Sequence, residues 1–113
     1  MLTIVLREKE KGSKEKMDAD EVARKLGEEK AYLKRVFHIR DLGLFGSYIR
    51  GEQTPASDID ILVEFTKGHK DFFNYMRLKF YLEELFGRNI DLVMKDAVKS
   101  RLKDRIFSEV EYV

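Results

Sequence analysis

In this chain of 113 residues, the side chains suited to catalysis fall into three groups, two of them between Leu44 and Phe65. The first is Gly46-Ser47, where an apolar run ends and a short helical piece, Tyr48–Arg50, can begin. Glycine lets the backbone approach a ligand, and the N–H groups that open a helix attract anions, phosphate above all. Ser47 adds a hydroxyl donor, although a Gly-Ser pair alone is an ordinary turn. The second group is Asp58-x-Asp60. Alternate residues of a strand share a face, so both carboxylates emerge side by side. Two ionised carboxylates that close repel each other unless a cation sits between them, as Mg²⁺ does with hard oxygen ligands. By itself such a pair also reads as a solvated strand end. The third group is Asp91, flanked by Ile90, Leu92 and Val93, where an unpaired buried charge would be expensive. A metal held by Asp58 and Asp60 on a neighbouring strand would serve as its partner. Three carboxylates on adjacent strands beside a Gly-Ser phosphate cradle suit two-metal phosphoryl or nucleotidyl transfer.

The elements around these groups can be read from periodicity. Asp20–Phe37 has helical spacing, with Val22, Leu26, Leu33 and Phe37 near one face and Asp18 or Asp20 as its cap. Gly27 inside it costs about 1 kcal/mol relative to Ala, so that helix relies on packing. Leu42–Phe45 reads as a short buried strand, and Gln53–Ser57, around Pro55, as a loop. Ile59–Phe65 is the clearest strand, with Ile59, Ile61, Val63 and Phe65 on one face and Asp60, Leu62 and Glu64 on the other. Asp71–Phe86 is helical, capped by Asp71 and stopped by Gly87. Its apolar residues cover more than one stripe, which fits either cover from another chain or a core helix packed on both sides. Asn89–Met94 is a third strand. Lys95–Glu109 reads as one last helix, with Val98, Leu102, Ile106 and Phe107 turned inward. The expected fold is α/β (α+β), a small mixed sheet flanked by helices. Residues 1–17 form an N-terminal extension, with Leu2–Leu6 as an edge strand and Arg7–Lys16 as a solvated charge run. A single domain then spans 18–113.

Composition narrows the function. Lys+Arg number 22 against 21 Asp+Glu, a net charge of +1, which argues against holding nucleic acid by counterion release. The longest early apolar stretch, Leu2–Leu6, is too short for a membrane span or a signal peptide. The absence of cysteine excludes disulfides, thiolate chemistry and Cys-type zinc sites. A cytoplasmic protein is expected, with no membrane and no stable nucleic-acid partner; a homo-oligomer stays open. Abundant charge with a single glutamine, Gln53, fits a thermophile source.

Gly46-Ser47, Arg50-Gly51 and Ser57-Asp58-Ile59-Asp60 together resemble the signature of the DNA polymerase β-like nucleotidyltransferase superfamily. Their spacing is similar to that of its minimal nucleotidyltransferases, the MntA-type antitoxins encoded beside HEPN-domain toxins. The likeness runs from Asp20 to Val113 and includes the Asn89–Val93 strand and the closing Glu109–Val113 segment. It implies that Asp58 and Asp60 bind two Mg²⁺ ions, and that Asp91 is the third carboxylate, able to deprotonate the acceptor. Gly46 and Ser47 would then hold the triphosphate of ATP. Arg50 would contact phosphate or a partner's acidic groups, or else pair with Glu52 or Asp58.

Other residues carry weaker signals. His38 and His69 have no companions at ligand spacing and read as surface or boundary residues. Tyr48 could stack on a base or simply pack. Lys95, Lys99, Arg101, Lys103 and Arg105 bias the last helix positive, either as a solvated face or as a guide for phosphate.

The leading expectation is therefore transfer of AMP from ATP to a tyrosine of a cognate HEPN ribonuclease toxin. Two alternatives stand beside it: an antitoxin that only binds the toxin, and nucleotidyl transfer to a small molecule such as an aminoglycoside.

Overall fold

The computed structural model describes residues 17–113; the strand expected at Leu2–Leu6 and the Arg7–Lys16 run lie outside the described residues. Helix α1, Ala19–Phe37, starts where the Asp18 carboxylate accepts the Glu21 N–H at 3.0 Å. It ends at His38, whose backbone is left-handed and whose N–H closes on the Lys34 carbonyl. Strand β1, Ile39–Phe45, begins at once, three residues earlier than the apolar run Leu42–Phe45 suggests. The single turn α2, Ser47–Arg50, follows, and then β2, Ile59–Phe65, with the bounds its alternation predicts. Helix α3, Phe72–Phe86, is capped by Asp71 and stopped by left-handed Gly87, and it crosses over to β3, Ile90–Met94.

The segment read as one final helix is two pieces. A 3₁₀ turn, Lys95–Ala97, is separated from α4, Ser100–Glu109, by the extended residues Val98 and Lys99. The break lets Val98 drop into a small apolar cluster with Phe45, Leu62 and Ile106. Because α4 meets the sheet along that narrow stripe, Leu102 and Phe107 are exposed rather than turned inward. A two-residue strand β4, Glu111–Tyr112, completes the described chain.

The sheet order is β3-β2-β1-β4, with β2 and β3 parallel and the other pairs antiparallel. The alternation of β2 divides the core. Ile59, Ile61, Val63 and Phe65 join the larger cluster with Leu26 and Leu33 of α1 and Leu78, Leu82 and Phe86 of α3. Leu62 faces the smaller cluster under α4. Asp60 lies on the Leu62 side of the strand, at the end where β1 finishes. Helix α3 is not covered on all sides, since Phe72, Phe73 and Phe80 are 70%, 77% and 58% exposed. Its buried face holds one polar residue, Asn74, whose amide donates to the Phe37 carbonyl at 2.7 Å and the His69 carbonyl at 3.0 Å. Among the described residues no helix is long and apolar enough to cross a membrane.

Candidate active site

The site forms where β1 stops. Gly46 has φ 78° and ψ −150°, a backbone conformation that side-chain-bearing residues avoid. Space imposes the same choice, because a Cβ on Gly46 would lie 2.0 Å from Asp60 Oδ2. The carboxylate of one motif thus rests directly on the glycine of the other. The chain then turns through α2, with the Arg50 N–H bonded to the Gly46 carbonyl at 3.1 Å, and leaves at left-handed Gly51. Tyr48 is buried in the larger core cluster, and that burial pushes its phenol up. Packing, not base stacking, accounts for this residue.

The two carboxylate motifs meet across the parallel pair. Asp60 and Asp91 are register partners on β2 and β3. Burial pushes the Asp60 carboxyl up to about 6; the charge of Asp91 and a hydrogen bond shared with it add to the rise, as does the charge of Asp58. The Ser47 backbone N–H pulls the other way. Asp91 is exposed, not buried in mid-strand, because β3 is an edge strand and its pleat turns Asp91 away from buried Ile90 and Leu92. The half-buried member of the pair is Asp60. Asp58 is exposed just ahead of β2. Among the described residues no three His, Asp or Glu side chains gather closely enough to hold a metal ion by themselves.

Arg50 pairs with Glu52, Nε to Oε1 at 2.9 Å, and not with Asp58. Its second partner is Glu109, which the sequence places in the closing Glu109–Val113 segment of the family likeness but without a role. Arg50 Nη1 donates to both Glu109 oxygens at 3.1 Å, and the Gly46 N–H donates to Glu109 Oε2 at 2.7 Å. A cleft of about 190 Å³ opens between this group and α4, with Asp60 on one wall and Leu102 and Arg105 on the other. A second, of about 470 Å³, runs past Asp58 between Pro55–Ser57 and Gly87–Asn89.

Comparison with known proteins identifies the family. Residues 28–113 match the nucleotidyltransferase domain model. A protein adenylyltransferase, MntA, of Thermococcus cleftensis is 40% identical over 94 residues, covering 83% of this chain and 94% of the relative. The chain belongs to the minimal, MntA-type branch of the nucleotidyltransferase family. A solved structure provisionally described as a minimal nucleotidyltransferase superposes with a TM-score of 0.72 at 29% identity, covering 85% of this chain and 96% of that one. A crystal structure of a toxin–antitoxin with AMP-PNP gives a TM-score of 0.62 at 25% identity, covering 75% of this chain and 69% of that one.

For this nucleotidyltransferase, the remaining sequence candidates sort by position. His38 and His69, far apart in sequence, stack with ring centroids 3.9 Å apart. They flank the opposite ends of β1 and β2 from Gly46, about 20 Å along seven-residue strands, His38 exposed and His69 half-buried. Of the basic residues from Lys95 onward, Arg105 reaches the smaller cleft. Lys95 instead lies 3.9 Å from Glu64 and over the Tyr112 ring.

Proposed function

We propose that this nucleotidyltransferase is a magnesium-dependent protein adenylyltransferase: it moves AMP from ATP to a tyrosine of a cognate HEPN-domain ribonuclease toxin and so acts as an antitoxin. The observation that carries the reading is the in-register Asp60–Asp91 pair, whose Asp60 rests against Gly46. The likeness to MntA and to a toxin–antitoxin structure with AMP-PNP supports it.

The donor set fits a divalent cation. Asp60 and Asp91 are hard oxygen donors, and burial together with the Asp91 charge lets Asp60 hold a proton up to about pH 6. Mg²⁺ keeps waters and is bound through one or two carboxylates plus substrate phosphates, so a closed protein shell is not required. Asp58, whose charge reaches Asp60, would extend the set. When bound, the metal offsets charge developing on the phosphoryl oxygens and activates the attacking oxygen.

The chain's own residues do the rest. Ser47 and the turn it opens would hold the triphosphate, while Arg50 faces it from the far end of α2. The acceptor hydroxyl oxygen attacks the α-phosphorus, the bond to the bridging oxygen breaks, and diphosphate departs with the electron pair. Asp91, exposed beside Asp60, would take the hydroxyl proton. The exposed phenylalanines of α3 offer an apolar surface suited to a protein partner.

The test incubates the chain with ATP, Mg²⁺ and the HEPN protein encoded beside it, and weighs the HEPN protein by mass spectrometry. Addition of AMP by the wild type and none by Asp58→Ala is expected. Toxin inhibition without added AMP, persisting in Asp58→Ala, would instead make this a binding antitoxin.

A further inference from the structure

The Gly46 N–H and the Arg50 guanidinium end on one side chain, Glu109, which is 63 residues from Gly46 in sequence. Glu52 holds Arg50 from its other side, so two carboxylates fix the guanidinium plane. Arg50 Nη2 makes no hydrogen bond among the described residues.

The backbone delivers Glu109 to this place. Directly after it, β4 pairs with β1, Gly43 with Tyr112 and Leu44 with Glu111, and the Val113 N–H bonds the Leu42 carbonyl at 2.9 Å. The staple lies flush on β1, for a Cβ on Gly43 would meet Val110 Cγ2 at 2.6 Å. Glu109 itself is only 16% exposed.

We propose that Glu109 is a positioning residue for nucleotide binding: it holds the Gly46 turn and Arg50 so that Ser47 and Arg50 Nη2 meet the triphosphate. This rests on reading Gly46, Ser47 and Arg50 as nucleotide-binding residues. A carboxylate at this place has two other uses. It can imitate a phosphate and leave when nucleotide arrives, or it can merely brace the end of the chain. Leaving would break charge-assisted bonds to Arg50 and pull against the β4 pairing. Arg50 also neutralises Glu109, so the carboxylate can stay beside an incoming triphosphate.

Magnesium AMP-PNP binding to the full chain, by titration calorimetry, tests this without any acceptor protein. The wild type is compared with Glu109→Ala, Glu109→Gln, Arg50→Ala and the double variant Glu109→Ala/Arg50→Ala, with thermal unfolding of each. Glu109→Ala should weaken binding about tenfold, and Glu109→Gln, which keeps an acceptor for the Gly46 N–H, should recover part of the loss. The double variant should lose much less than the sum of the two single losses, because Glu109 acts through Arg50. Tighter binding by Glu109→Ala would reveal a phosphate imitator. Unchanged affinity with a lowered melting point, or strictly additive losses, would reveal a brace. Either result overturns the proposal, and Glu109→Gln decides the matter if the alanine variant does not fold. A wild-type chain that binds no AMP-PNP overturns the nucleotide reading of the turn itself.

Discussion

Asp60 and Asp91 stand opposite each other on parallel neighbouring strands, and the half-buried member, Asp60, has its carboxyl pushed up to about 6. In the metal-free protein the folded state therefore binds this proton more tightly than the unfolded chain does. The stabilisation is complete below the ordinary aspartate value of 3.8 and is lost as pH rises through about 6. With a chelator present, the melting temperature of the wild type should fall, relative to Asp60→Asn, between about pH 4 and pH 7. Added Mg²⁺ should restore it above pH 6 and do little near pH 4. Parallel curves for the two proteins would show that the pair stores no such tension.

Asp91→Asn separates stability from function. It removes a charge that adds to the effect of burial on Asp60, so the metal-free melting temperature should hold or rise. Adenylyl transfer, followed by mass spectrometry of the acceptor, should fall by at least about 100-fold, the usual loss for a missing proton acceptor. Retained activity would remove Asp91 from the mechanism.

Gly46→Ala sets a methyl group 2.0 Å from Asp60 Oδ2 at a backbone φ of 78°. Either Asp60 moves or the turn does. A stability loss of about 1–3 kcal/mol in chemical denaturation is expected, together with loss of AMP-PNP binding.

Gly27→Ala should do the reverse, far from the site. Gly27 lies inside α1, and a Cβ there meets nothing within 4 Å. The substitution should add about 0.5–1 kcal/mol to unfolding in denaturant, with transfer activity unaltered. A destabilised variant would contradict that open space.

Legibility in the sequence followed how local each cause was. The bounds of β2 were readable because its alternation is complete, and the caps Asp18, Asp71 and Gly87 act within four residues of themselves. Lys95–Glu109 keeps helical spacing throughout, so its sequence suggests one helix where the chain forms two pieces. Only the demand of Phe45 and Leu62 for Val98 breaks it. The stacking of His38 on His69 had no local sign, since two chain reversals bring them together.

Gly46, Ser47, Asp58, Asp60 and Asp91 are readable as candidates from type and spacing, because strand pleat and turn chemistry act over a few residues, and the family resemblance supplies their roles. Tertiary structure decided which of them stand side by side, which face water and what holds the turn. Parallel pairing of β2 with β3 set Asp60 beside Asp91 and left Asp91 exposed at the sheet edge. Antiparallel pairing of β4 with β1 carried Glu109 to Gly46 and Arg50. Those relationships depend on which strands neighbour each other, and strand order is set by burying two faces of one sheet at once, not by any stretch of sequence read alone.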